Sequence, residues 1–239
     1  MNDDVTIVVM TRDRVADLME TMPLLLAAEP ARVIVVDNGS TDGTVATVRD
    51  RFPTVTVIAL DHNAGVEARN LGVAMASTPY VAFADDSWWT ADSLRRIATL
   101  FGKQPTIGAL VGHVVVEPAG VDDPVTSLMR SSPALGAPGL PGIPVLGFLA
   151  CSAAVRREAY LVAGGFCPRF HFGGEQQLLA ADLAAAGWEI RYLPDTPIHH
   201  RPRRHVPRVH GGNGASCATL CGSCRSAAPH SRRCGARPC

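Results

Sequence analysis

Short apolar runs alternate with helix-length segments along the first half of the chain, and this alternation constrains the fold more than any other feature. The runs Val5–Met10, Arg32–Val36, Thr54–Leu60 and Tyr80–Ala84 are rich in Val, Ile and Ala and too short for core helices, so they read as buried parallel strands. Between them lie helix candidates at Val15–Glu29, Thr41–Arg51 and Ala64–Ala76. A helix at Ala91–Lys103 and a strand at Ile107–Val116 follow. Strand–helix–strand repeats with short connections predict an α/β fold, with a mostly parallel central sheet and helices on both faces.

The regular pattern then breaks. Glu117–Pro144 is rich in Pro and Gly without periodicity, so a long loop or lid is expected there. Val145–Val155 reads as a strand-like run, Arg156–Ala163 as a short helix ending at Gly164-Gly165, Glu175–Ala186 as a helix closed by Gly187, and Trp188–Leu193 as a last strand.

In an open α/β sheet, ligands bind beyond the carboxyl ends of the strands. Each of the first four strands is followed by a polar, acid-containing loop: Thr11-Arg12-Asp13-Arg14, Asp37-Asn38-Gly39-Ser40-Thr41-Asp42, Asp61-His62-Asn63 and Asp85-Asp86-Ser87. Any one of these could be a helix cap, and for Thr41 and Asp42 capping is the favoured reading. Four on one edge point to a site. Asp85-Asp86 carries the most weight, because adjacent carboxylates repel unless a cation lies between them and a ligand. Oxygen ligands of this kind suit Mg²⁺ or Mn²⁺ together with substrate phosphates. No GxGxxG and no GxxxxGK[ST] occurs, which removes the main support for dinucleotide and P-loop readings.

Four motifs in order resemble family 2 glycosyltransferases of the GT-A fold. Val35 to Thr44 reads VVDNGSTDGT; Asn63-Ala64-Gly65 is followed by Ala68-Arg69-Asn70-Leu71-Gly72; Phe83-Ala84-Asp85-Asp86 resembles the strand entering the metal motif; and Gly173-Gly174-Glu175-Gln176 is similar to the acceptor-side motif. The likeness covers about residues 4–200 and implies a Rossmann-like GT-A sheet. It implies inverting transfer from a nucleotide-sugar donor to an acceptor hydroxyl, the acceptor being unknown. On these positions, Thr11, Arg12, Asp37, Asn38, Arg69 and Asp85 would bind the donor, Asp37 at its base and Arg69 near the diphosphate. Asp86 would hold the metal, with His200 favoured over His199 to complete that site. Glu175 would be the general base. Trp88-Trp89 reads as packing, with one ring in the core.

Two departures qualify the likeness. Ser87 stands where a third acid is common, and Gln176 where an acid is common. The runner-up is therefore a catalytically weak or inactive nucleotide-sugar-binding protein that lacks proper C-terminal support.

Composition divides the chain at about residue 200. Residues 201–239 hold eight of the 22 basic side chains, all Arg, and none of the 22 acids, so residues 1–200 carry a net charge of −8. An acidic domain is a poor nucleic-acid binder. Five of the seven cysteines lie in the last 23 residues, where Cys217-x3-Cys221-x2-Cys224 has an iron–sulfur-like spacing that reads as chance. The expected organisation is a transferase domain over 1–200 and an Arg/Cys-rich tail over 201–239 that is disordered or an out-of-frame product. Cys151 and Cys167 read as small apolar residues without a disulfide. The chain starts with acids and has no apolar run of membrane-spanning length, so a cytoplasmic location is the default expectation, with peripheral membrane association still compatible.

Overall fold

β-branched residues that can be buried on two faces set the sheet. Val5, Ile7, Val8 and Val9 are buried in β1 (Asn2–Thr11), and Val33–Val36 in β2 (Pro30–Asp37). Such runs suit a strand covered on both sides. The computed structural model describes residues 2–170 and 173–202; the expected tail, with its cysteine cluster, lies outside them from residue 203 on.

Along the chain, α1 (Val15–Ala27) joins β1 to β2, and α2 (Thr44–Arg51) leads to β3 (Thr56–Ala59). A 3-10 turn and α3 (Ala68–Met75) lead to β4 (Tyr80–Ala84). Then come β5 (Ser87–Trp89), α4 (Ala91–Lys103), β6 (Ile107–Val116), β7 (Val121–Asp122), α5 (Pro124–Met129) and β8 (Ile143–Pro144). The last elements are β9 (Ala153–Arg156), α6 (Arg157–Val162), α7 (Glu175–Ala185) and β10 (Glu189–His200). The sheet runs β3-β2-β1-β4-β9-β6-β10-β5. The neighbours among β1 to β4 are parallel, as are β6 and β10, whereas β9 is antiparallel to both β4 and β6 and β5 is antiparallel to β10. This is the mostly parallel α/β sheet that the sequence predicts.

Strand alternation feeds two cores. Val8, Ile34, Val81 and Phe83 pack with residues of α3, α6 and α7 on one face. Val9, Val35, Ala82 and Ala84 pack with α1, α2 and α4 on the other. Gly72 lets α3 lie flush on the sheet, since a Cβ there would stand 2.4 Å from a Val8 methyl. That close approach carries Arg69, one turn earlier on the same helix face, to the carboxyl edge of β4. No helix among the described residues is long and apolar enough to cross a membrane.

Several segment boundaries differ from expectation, among them the starts of α2 at Thr44 and α3 at Ala68 and the shorter β3. α1 stops at Ala27, because Glu29 takes a positive φ of 51° and Pro30 opens β2; proline is tolerated at the first residue of a strand. The 117–144 segment is not structureless. Asp123 caps α5 by accepting from Val125 N and Thr126 N, with Pro124 at the helix start, but six residues give periodicity too little length to register. Of the 145–155 run only Ala153–Val155 is strand; Val145 and Phe148 fill the core as irregular chain and Ala150 from a 3-10 turn, a distinction that apolar composition cannot make. Finally, β10 continues past Leu193 to His200 through a register shift before Pro197. Prolines at 194 and 197 hide that continuation from pattern reading.

Candidate active site

Backbone-directed carboxylates build the rim. Asp13, at φ 49°, accepts from Thr41 N at 2.7 Å, and its own N–H donates to Ser40 Oγ at 2.8 Å. Asp42 accepts from Val15 N at 2.9 Å and from Thr44 N at 3.1 Å, at the start of α2. Burial raises the Asp42 carboxyl, but its hydrogen bonds from Thr44 and Val15 together outweigh this and leave it below its ordinary value. These acids tie the loop after β1 to the loop after β2; Asp42 is not the N-cap of α2, which is Gly43, but bonds the Thr44 N–H from one residue outside it.

Within the rim, Thr11 and Asp37 sit side by side at the ends of β1 and β2, both buried. Asp37 Oδ2 accepts from Ser40 N at 3.0 Å, while Oδ1 is buried with no protein partner. Asn38 works differently. Its amide donates to Asn63 Oδ1 and to the Gly65 carbonyl, both at 2.9 Å, and its Oδ1 accepts from Ala64 N at 2.8 Å. Its side chain thus clasps the β2 and β3 loops together. Gly39 must be glycine for the same packing, since a Cβ would meet the His62 backbone at 2.7 Å.

At the end of β4 the two aspartates separate. Asp85 receives both its bonds from Arg69 Nη2, at 2.7 and 2.9 Å, and the Arg69 guanidinium lies over the Phe166 ring. Asp86 is ion-paired with Arg14. Ser87 turns inward, donating to the Cys151 carbonyl at 2.8 Å, so it is not placed as a third cation ligand. Burial pushes the Cys151 thiol up to about 12, and both Cys151 and Cys167 are unbridged. β5 pairs Ser87 with His200 and Trp88 with His199. His199 stacks on Trp88 and contacts Glu117 at 2.9 Å, whereas His200 Nδ1 is buried without a partner. Burial lowers the His200 pKa; Asp85 and Asp123 act against this, and Arg14 adds to it. Trp89 is fully buried, its indole donating to the Phe83 carbonyl.

Two predicted residues stand apart from this cluster. Arg12 turns toward solvent, with Asp13 as an ionic neighbour at 3.7 Å. Glu175 opens α7 behind Gly174, whose φ is 88°, and is buried with Oε2 unpartnered. Gln176 and Gln177, next in α7, line an apolar groove of about 410 Å³ with Leu128, Met129, Leu146 and Phe148. Arg14 and Phe166 escaped sequence reading. Which of the two arginines in Thr11-Arg12-Asp13-Arg14 faces inward depends on the Asp13 backbone, which no local pattern reports.

The model of glycosyl transferase family 2 matches residues 6–161. The chain belongs to glycosyl transferase family 2. An N-acetylglucosaminyl-diphospho-decaprenol L-rhamnosyltransferase of Mycobacterium tuberculosis is 30% identical over 218 residues, covering 74% of this chain and 69% of that protein. A pre-mycofactocin glycosyltransferase of the same organism is 30% identical over 234 residues, covering 90% of this chain but 47% of its own length. In fold, the glycosyltransferase is similar to GalNAc-T7, solved with UDP, GalNAc and Mn²⁺, at a TM-score of 0.66 and 16% identity over 84% of this chain and 44% of that one. It is also similar to S. aureus TarS in complex with UDP-GlcNAc, at 0.66 and 20% identity over 84% and 59%. The chain thus spans about half the length of these structural relatives.

The glycosyltransferase site fits a cation only in a particular way. Among the described residues no three His, Cys, Asp or Glu side chains converge as a ready-made cage. His200 offers a buried unpartnered nitrogen within electrostatic reach of Asp85, and Asp86 a carboxylate paired with Arg14. Such a set suits an ion that draws its remaining ligands from a diphosphate and water.

Proposed function

We propose that residues 1–200 form a domain that transfers a glycosyl group, with inversion, from a nucleotide-sugar donor to an acceptor hydroxyl. The observation that carries this reading is hydrogen-bonding capacity left unfilled inside the protein. Asp37 Oδ1, Arg69 Nε, Glu175 Oε2 and His200 Nδ1 are all buried without a protein partner. Buried polar atoms are normally satisfied, so three on motif residues and one on His200 support places where a ligand completes the bonding.

In this reading Asp37 Oδ1 accepts from an N–H of the donor's base, with Thr11 beside it. Asn38 shapes that pocket by holding the loops. Asp85, fixed by Arg69, faces the ribose, and Arg69 lends charge toward the diphosphate. Asp86 and His200 would hold Mg²⁺ or Mn²⁺, which when bound offsets charge building on the leaving diphosphate. Glu175 takes the proton from the acceptor hydroxyl. The acceptor oxygen forms its bond to the anomeric carbon as the bond from that carbon to the phosphate oxygen breaks, and the nucleoside diphosphate departs. The groove beside Gln176 and Gln177 receives an apolar part of the acceptor, in line with the decaprenol-linked acceptor that the rhamnosyltransferase's name states.

The test is release of nucleoside diphosphate from UDP-, GDP- and dTDP-sugars with Mn²⁺ and a prenyl-linked sugar acceptor. Release that stops in both Asp86→Ala and Glu175→Ala is expected. Donor binding without turnover, indifferent to Glu175→Ala, would overturn the reading in favour of a binding protein.

A further inference from the structure

Asp85 grips Arg69 at one corner. Both hydrogen bonds to the carboxylate start from a single nitrogen, Nη2, at 2.7 and 2.9 Å. Two bonds from one atom fix the separation of the groups but not the tilt of the guanidinium plane. A guanidinium that is to bond a phosphate through its fork of N–H groups needs that plane set as well. The Phe166 ring supplies the constraint: the Arg69 guanidinium lies over it, 5.6 Å from the centroid, the arrangement in which a ring face attracts a cation.

Phe166 belongs to no helix or strand, so no ladder of hydrogen bonds fixes its backbone. Asn70 does this instead. Next to Arg69 on α3, it donates from its amide to the Phe166 carbonyl at 2.8 Å, and its Oδ1 accepts from the Phe166 N–H at 2.9 Å. One side chain thus satisfies both backbone polar groups of a residue 96 positions away. Tyr160 of α6 donates its hydroxyl to the same Oδ1. Gly165 keeps the approach open: its φ is 69°, and a Cβ there would stand 2.6 Å from Asn70 Oδ1 and 2.8 Å from the Tyr160 ring. The Phe166 ring is fully buried against Phe83 of β4 and Tyr160, with centroids 5.7 and 5.9 Å away. With backbone and ring both held, Phe166 is a fixed platform beneath Arg69.

We propose that Asn70 is a positioning residue for donor binding: through Phe166 it sets the plane in which the Arg69 guanidinium meets the diphosphate. The inference rests on the reading of Arg69 as the diphosphate contact.

Calorimetry of the full chain with UDP, GDP and dTDP in the presence of Mn²⁺ tests this, using whichever nucleotide the parent binds best. Arg69→Gln is expected to bind it tenfold or more weakly, as loss of a charged hydrogen bond to phosphate implies. Asn70→Ala and Phe166→Leu should each weaken it roughly fivefold, the size of a partly desolvated cation–ring contact. Asn70→Ala combined with Arg69→Gln should bind no more weakly than Arg69→Gln alone, because the two changes act on one contact. A purely structural Asn70 would lower the urea midpoint and leave the affinity of the folded protein alone. Asn70→Ser, a milder truncation that retains a hydroxyl, should shift affinity in the same direction and serves if Asn70→Ala does not fold. Parent-like affinity in the Asn70 variants or in Phe166→Leu, or losses that multiply in the double variant, overturns the positioning role. Parent-like affinity in Arg69→Gln instead defeats the diphosphate reading of Arg69, and this inference with it.

Discussion

The half of the domain up to α4 and the half that follows it solve the same packing problem in different ways. The first is a succession of βα units in which each strand end is locked by a nearby polar side chain. Asp13, Asp37, Asn38 and Asp42 all bond to backbone within a few ångströms of the site. The second is held by long-range pairing. β9 inserts antiparallel between β4 and β6, and β5 closes the edge against β10, more than a hundred residues later. Arg156 ties it together by donating to the carbonyls of Phe101, Gln104 and Ile107. The loops after β1, β2 and β3 are thus tied to one another locally, while the groove beside Gln176 is lined by α5, the irregular chain at 145–149 and α7.

The sharpest way to break the comparison is kinetic. Asp86→Asn, on the first half, and Glu175→Gln, on the second, should each lower turnover by about 10²-fold or more. Only Glu175→Gln should leave nucleotide affinity intact, as calorimetry with the preferred nucleoside diphosphate would report; equal loss of affinity in both would erase the distinction between halves. Next in size is Asn38→Leu, which strands the Ala64 N–H and the Gly65 carbonyl in the interior. A stability loss of about 3 kcal/mol is expected in urea unfolding, and a loss near zero would mean that the loop clasp is dispensable. Gly72→Ala follows, at about 2 kcal/mol for crowding of α3 against Val8, measured the same way. If crowding tilts the helix, nucleotide affinity should fall too through Arg69.

Smaller effects sharpen the contrast further. Asp42→Asn should cost some stability at neutral pH. Because the folded carboxyl lies below its ordinary value of 3.8, the charged form is favoured by folding. The difference between parent and variant should therefore be constant above that value and shrink as pH falls through the lowered one. A difference that persists at the acid end would mean that the bonds do not depend on charge. Leu135→Ser, in the 117–144 segment, should change stability by less than about 0.5 kcal/mol, because Leu135 is 97% exposed; a larger loss would show that the chain around Leu135 is packed after all.

Much of the first half was legible because its signals are local. Apolar runs bounded by polar turns gave β1, β2 and β4 with both their faces, and the motif residues Asp37, Arg69, Asp85 and Glu175 stood where a strand end or a helix start must place them. The second half was less legible. α5 is too short to show a period, β10 is interrupted by prolines, and 145–152 is apolar without being strand. For Ser87, the sequence offered a hydroxyl in a ligand position, and only the pairing of β5 with β10 turned it toward Cys151.

The sequence by itself therefore determined the α/β architecture and the sheet edge at which its motif residues gather. Periodicity and turn chemistry act over a few residues, and these features need nothing more. The partner of each charge was decided only by the tertiary structure. Arg14 rather than Arg12 meets Asp86, Arg69 grips Asp85, and His200 rather than His199 keeps a nitrogen without a partner. Those outcomes depend on a positive φ at Asp13, the close seat of α3 and the side-to-side alternation of β10, each fixed by contacts between residues far apart in the chain.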